Sequence, residues 1–383
     1  MKDKYLRPGL TLSTSNHLSN LQTISIVCMT KDRPKEFANV IKYWRNYPVE
    51  FIISDGSETR LTEECVRIES KKIKCHPNFV VKYCRESNFP ARFKWMSEEL
   101  TREFVAFNND DDFLYAPNAN KLIDKFREDD SVTGIYSWRN FSKEYVSRKG
   151  KLLVSKALSE ADIKTRLSGS LDKNRNLPDA VWLSILRSES VKRAMHDAFL
   201  ASRQEFRDDR LSLNVLSIAF IMSNLLSGRF IESDLCLFFK RSFDVTADWT
   251  MKSPIMSEEE LAIRVGKLRQ GTYETLKSSF SSEFGLNTWQ EIKSDVLRNL
   301  MQCQAYEFGE SIDHISFWRR ATEKSSIVLR SRLSPFIRRE KDSLLKSVKP
   351  SSLSLLSLKW FRWDSWMKLH RAKCCRAAFD YLR

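Results

Sequence analysis

Apolar and polar positions in the first third of the chain alternate between two periods. Thr23 to Met29 (TISIVCM) is β-branched and apolar and predicts a strand. Asp32 and Pro34 then give helix-start signals, and Phe37, Val40, Ile41 and Trp44 fall at i, i+3, i+4 and i+7 on one helical face. Val49 to Ile53 (VEFII) predicts a second strand, ending in Ser54-Asp55-Gly56-Ser57. Phe79 to Tyr83 (FVVKY) predicts a third, ending near Glu86, Ser87 and Asn88. A helix through Phe93, Met96 and Leu100 leads to a fourth strand at Phe104 to Phe107. Strands alternating with helices predict an α/β fold: a mainly parallel, Rossmann-like sheet flanked by helices.

Further along, Val132 to Tyr136 reads as a strand, Pro178 to Leu186 as a buried segment, and Leu211 to Leu226 as a strongly apolar helix closed by Gly228. Phe230 to Phe239 returns to the sheet. The texture changes near Pro254. Ser257 with Glu260, and Thr288 with Glu291, are capping-box patterns that open helices, so a helical C-terminal region is expected. The expected divisions are a tail at 1–22, an α/β domain at 23–245, a helical region at 246–350 and a basic segment at 351–383. A Ser/Leu-rich connector, 350–357, precedes the last of these.

The polar residues gather at the carboxyl ends of the strands, where open α/β sheets bind their ligands. Thr30, Asp32, Arg33, Asp55, Asn88 and the acids of REFVAFNNDDDF would therefore converge. Asp110, Asp111 and Asp112 repel one another, and a hard divalent cation would relieve that repulsion. A local turn would also account for them, because Asp side chains bond the nearby backbone.

Charge and cysteine usage narrow the setting. No apolar run reaches the roughly 18 residues of a spanning helix, and the first twenty residues lack a signal-peptide core. Eight cysteines without a CxxC fit a reducing cytoplasm, with Cys75-His76 and Cys84 only a weak resemblance to a metal site. Of a net charge of +15, the segment 331–383 holds thirteen Lys or Arg against four Asp or Glu. On a helical wheel Trp360, Trp363, Trp366, Met367, His370, Cys374, Ala377 and Tyr381 gather on an arc of roughly 120 degrees. A Trp-bearing face flanked by basic residues suits an anionic membrane surface, although packing on the protein itself would give the same pattern. The expected location is the cytoplasm or, through 351–383, the inner face of the cell membrane.

The order of strand, Lys31-Asp32-Arg33-Pro34, IISDGS at 52–57 and FVAFNNDDDF resembles the GT-A-fold glycosyltransferases of the family-two, inverting kind. It is especially similar to a bacterial subgroup with a T-x-x-R-P start and a DDDF signature. The resemblance spans about 23–245. It implies a nucleotide-sugar donor and a glycan or lipid-linked acceptor, with Thr30 and Arg33 bordering the nucleotide and Asp55 bonding the base. Asp110 and Asp112 would form the pair that handles manganese or magnesium and the diphosphate, with Asp111 facing the ribose or supporting the turn. Arg92, in an altered NFPARFK stretch, would contact the donor. The catalytic base would be Asp209 or Asp208, with Glu205 and Asp179 as rivals; the dipole of the following helix would equally explain acids there.

Three other classes fit these residues less well. A sugar-phosphate nucleotidyltransferase would carry a Gly-rich phosphate loop after the first strand, and Cys28 to Arg33 contains no Gly. A haloacid-dehalogenase-type phosphatase would place its acids on the first strand, not the fourth. A non-enzymatic binder of an anionic surface would rest on the basic tail, and no nucleic-acid motif accompanies it, so a nucleic-acid partner is disfavoured.

Overall fold

The computed structural model describes residues 18–71, 75–110, 112–143, 146–150, 156–169, 181–202, 210–241 and 258–309. The chain divides into two units, residues 1–300 with 381–383, and residues 301–380; the sheet and the candidate site belong to the first.

The expected βα alternation is present. β1 (Ile24–Thr30), α1 (Pro34–Trp44), β2 (Glu50–Asp55), α2 (Leu61–Ser70), β3 (Val80–Arg85), α3 (Phe89–Glu99) and β4 (Phe104–Phe107) follow in order. β1 pairs in parallel with both β2 and β4, and β2 with β3, giving the order β3-β2-β1-β4. β1, β2 and β4 are buried almost throughout, as strands covered on both faces must be. The predicted face of α1 is buried completely at Phe37, Val40, Ile41 and Trp44. Each such side chain contributes about 2 kcal/mol of burial energy.

Strand direction then changes. β5 (Asp112–Leu114), α4 (Ala116–Arg127), β6 (Val132–Lys143), β7 (Val146–Gly150), α5 (Ile163–Gly169) and β8 (Ser184–Arg187) follow. α6 (Ser188–Ser202), α7 (Arg210–Ser227) and β9 (Arg229–Arg241) complete the sheet. β8 lies antiparallel between β4 and β6, β9 runs parallel to β6, and β5 closes the far end antiparallel to β9. Only five residues lead from Phe107 to Asp112, a reach of about 18 Å. Four flat strand spacings would need about 19 Å, so the far end must curl back toward β4. The register shifts near Thr133 and between Ser137 and Arg139 fit that bend.

The two faces of the sheet carry different helices. Phe104 meets Phe126 of α4 on one face, whereas Phe107 meets Phe220 of α7 on the other. α7 delivers the chain to Arg229, which pairs with Val132 at the edge where β4 begins, so the first residue of α7, Arg210, lies toward the opposite, carboxyl edge. Beyond the sheet, α8 (Glu258–Phe284) and α9 (Leu286–Gly309) confirm helical structure there. Gly285, at φ 86°, links them in a conformation that costs glycine little. The second capping box is corrected: α9 already starts at Leu286, and the Thr288 hydroxyl donates to the Phe284 carbonyl at 2.9 Å. Ser257 and the segment 351–383 lie outside the described residues.

Candidate active site

The chain builds β1, β2 and β3 to one side, then crosses through α3 to β4 on the other side of β1. The resulting crevice outside the carboxyl ends of β1 and β4 is a topological switch point, the usual ligand position in such sheets. Thr30 ends β1, and Asp110 lies three residues beyond β4. The Thr30 hydroxyl donates to Asp110 Oδ2 at 2.7 Å, and a guanidinium nitrogen of Arg33 lies 3.2 Å from Oδ1. The Asp110 side chain is only 7% exposed and that of Arg33 23%, so the pair meets solvent through the arginine.

The turn that aims Asp110 is held from below. Asn108 donates its backbone N–H to the Val27 carbonyl at 2.8 Å, and its Oδ1 accepts from Trp44 Nε1 at 2.9 Å and Leu114 N at 3.3 Å. One buried amide thus ties β1, α1 and β5 around the acid turn. β5 opens at Asp112, whose backbone position pairs with Lys240 of β9.

Next to this cluster the loops after β1 and β2 lock together. Asp32 adopts φ 55°, a strained region that Asp tolerates better than most residues. Its N–H donates to Ser57 Oγ at 2.7 Å, and its Oδ1 accepts from Glu58 N at 3.2 Å. Ser57 N donates in turn to Asp55 Oδ1 at 2.8 Å, and the Tyr83 hydroxyl donates to Asp55 Oδ2 at 2.8 Å. Burial, then the bond to Asp55, pushes the Tyr83 hydroxyl well above its ordinary range, so it stays a donor.

Arg92 sits underneath, 5% exposed, reaching the Ser54 carbonyl at 3.3 Å and the Thr30 carbonyl at 3.5 Å. A Cβ on Gly56 would meet its guanidinium at 2.8 Å, so any larger residue there would have to displace the Arg92 head. Arg92 therefore braces the ends of β1 and β2 from beneath.

Of the residues singled out in the sequence, Thr30, Arg33 and Asp110 are brought together, and Asp55 lies in the adjoining loop with both oxygens engaged. Asp111, Asp208, Asp209, Glu205, Asp179 and the side chain of Asp112 lie outside what is described. Among the described residues no group of three or more His, Cys, Asp or Glu could hold a metal ion. The thiol of Cys75 instead donates to the Glu69 carbonyl at 3.3 Å. Asn108 and Tyr83 join this edge without having been singled out by pattern; for Tyr83 the signal is a hydroxyl at the carboxyl end of a strand that borders Asp55.

A scan against protein-family models finds no match, and a search of curated proteins finds none either. Among solved structures the chain is similar to S. aureus TarS 1–349, at 14% identity over 75% of this chain and 92% of that one, with a TM-score of 0.43. It is similar to the same protein in complex with UDP-GlcNAc at 14% identity over 74% and 81%, TM-score 0.41. For the complex with UDP the figures are 14% identity, 75% and 92%, and TM-score 0.41.

Proposed function

We propose that the protein is a glycosyltransferase, moving a sugar from a nucleotide-sugar to a hydroxyl acceptor with inversion. The observation that carries this reading is Asp110, a nearly buried carboxylate gripped by Thr30 and Arg33 across the switch point. A carboxylate held there suits a ligand whose phosphates arrive with a cation.

Other features of the edge favour an anionic ligand. α1 points its N-terminus at this edge, and its N-cap residue, Arg33, makes no side-chain cap bond. The helix dipole favours negative charge there. Lys31 and Lys35 are exposed on either side of Arg33 and raise the local attraction for a diphosphate.

A divalent cation would suit the Asp110 carboxylate. Carboxylate oxygens are hard ligands, and each offers more than one lone-pair direction, so an oxygen that accepts from Thr30 or Arg33 can also face a metal. Asp110 and Asp112 would hold manganese or magnesium, which supplies Lewis-acid stabilisation of the departing diphosphate. Within the chain, Thr30 and Arg33 fix the Asp110 carboxylate, while Arg33 and the α1 amides hold negative charge on the phosphate oxygens. Asp209 or Asp208, just before the start of α7, takes the proton of the acceptor hydroxyl as its oxygen bonds the anomeric carbon and the bond to the diphosphate breaks. Asp55 and Tyr83 shape the nucleotide-base end, and the acceptor is a glycan or a lipid-linked sugar. An anionic membrane contact through 351–383 would bring the enzyme to a lipid-linked acceptor.

Asp112→Ala is expected to remove metal-dependent turnover of nucleotide-sugar while leaving the unfolding transition intact. Turnover measured across a manganese titration checks this, and an unaltered response in the variant contradicts the assignment.

A further inference from the structure

Four aromatic side chains gather beside the carboxyl end of β4, and one is placed differently from the rest. Phe93, Phe107 and Phe220 are at most 2% exposed. Trp182 is only half-buried. β8 runs antiparallel to β4 with Ile185 opposite Ala106, so Trp182, which precedes β8, lies beyond the carboxyl end of β4. This is the same edge on which Thr30 and Asp110 meet.

The indole is fixed from several directions. It stacks on Phe220 at 4.3 Å and 17°, and meets Phe107 edge to face at 4.9 Å and 76°. Phe93 approaches at 6.3 Å, and the indole N–H donates to Ser217 Oγ at 3.0 Å. Its polar side-chain atom is satisfied and its rotamer is held, so whatever part of the indole meets solvent is apolar, rigid and prepared before any ligand arrives. Binding to such a surface loses little ordering entropy. Ligand pockets characteristically combine aromatic walls with a few fixed polar groups, and here the polar groups are those of the Asp110 cluster.

We propose that Trp182 is the platform on which the sugar ring of the nucleotide-sugar rests. A pyranose has a face of C–H groups that suits a flat aromatic surface, whereas a nucleoside diphosphate without sugar has nothing to place there. The assignment rests on the glycosyltransferase reading and adds a residue that separates sugar from nucleotide recognition.

The test uses the full chain and compares affinities, by titration calorimetry with manganese present, for UDP, GDP and their hexose and N-acetylhexosamine conjugates. For the conjugate that binds the wild type most tightly, Trp182→Leu is expected to weaken affinity by about tenfold, as loss of a buried aromatic contact of about 1.4 kcal/mol requires. Affinity for the parent diphosphate should change by less than twofold. Trp182→Phe, which preserves the stack on Phe220, should weaken the conjugate by only two- to threefold, roughly the loss of part of the ring area, and serves if the leucine variant does not fold. Equal loss for conjugate and diphosphate, or no change for either in folded variants, overturns the platform and leaves Trp182 a core plug. Failure of the wild type to bind any of these nucleotides overturns the glycosyltransferase reading itself, and the platform with it.

Discussion

Asp110→Asn is expected to lower sugar transfer by on the order of 10²–10³-fold, the scale on which removal of one transition-state electrostatic contact acts. The substitution keeps the size of the side chain and an acceptor for the Thr30 hydroxyl, which now lies 2.7 Å from Oδ2. What it removes is the negative charge that faces Arg33 and would face a cation. Arg33 retains partial access to water, so the loss of its partner is relieved by solvent and the fold should survive. Turnover per folded molecule, measured beside the thermal transition, separates the two effects. Near-normal turnover in a folded Asp110→Asn protein would remove Asp110 from the chemistry.

The second large effect concerns stability and lies at the opposite edge of the sheet. Glu50, at the start of β2, is 1% exposed. It accepts from Ser25 Oγ of β1 at 2.5 Å, from Thr101 N at 3.2 Å and Oγ1 at 2.5 Å, and pairs with Lys82 Nζ of β3 at 3.0 Å. Glu50→Ala leaves the buried Ser25 hydroxyl without this acceptor, while Thr101 meets solvent and Lys82 keeps Glu99, so the loss is about 1–3 kcal/mol, the cost of an unsatisfied buried polar group. Burial alone would push the Glu50 carboxyl up, but the bonds from Ser25, Thr101 and Lys82 outweigh it and hold the group below its ordinary 4.5. A lowered folded-state value means that the contribution is present above the unfolded value and disappears as pH falls through the folded one. Melting temperatures of the wild type and Glu50→Gln should therefore differ most near neutrality and converge below about pH 4, within the range where carboxylates titrate. A difference independent of pH would contradict an ionised Glu50 at the centre of this network.

The parallel half of the sheet was legible because its signals are local. Phe37, Val40, Ile41 and Trp44 mark one helical face by spacing alone, and all four are fully buried. Strand ends were less visible. β2 was expected to stop at Ile53, but it runs through Ser54 and Asp55, whose polar side chains are themselves fully buried. α4 carries the same spacing at Ala119, Leu122, Ile123 and Phe126, all equally buried, but follows closely on the acid turn, where a run of polar residues and Pro117 obscure its start. The antiparallel insertion of β8 had no local signal, since an apolar run such as SILR does not encode the direction of its neighbour.

The site divides in the same way. Strand-end convergence was readable from element order, and it brought Thr30, Arg33 and Asp110 to one place. The pairings within it were not, because a bond between residues 30 and 110 depends on the crossover through α3. The resemblance gives Asp55 a base contact, yet its two oxygens meet Ser57 and Tyr83, the first a local turn bond and the second visible only once β2 and β3 are in register.

The central claim is that the crevice at the carboxyl ends of β1 and β4 takes a nucleotide-sugar. It is tested most directly by the thermal stability of the full chain in the presence of nucleoside diphosphates and nucleotide-sugars, each with and without manganese. A ligand that binds only the folded state raises stability by about 2.7 kcal/mol at a hundred times its dissociation constant. The account predicts a manganese-dependent rise in melting temperature with at least one nucleotide-sugar, diminished in Asp110→Asn. No rise with any nucleotide, or the same rise in Asp110→Asn as in the wild type, would contradict it.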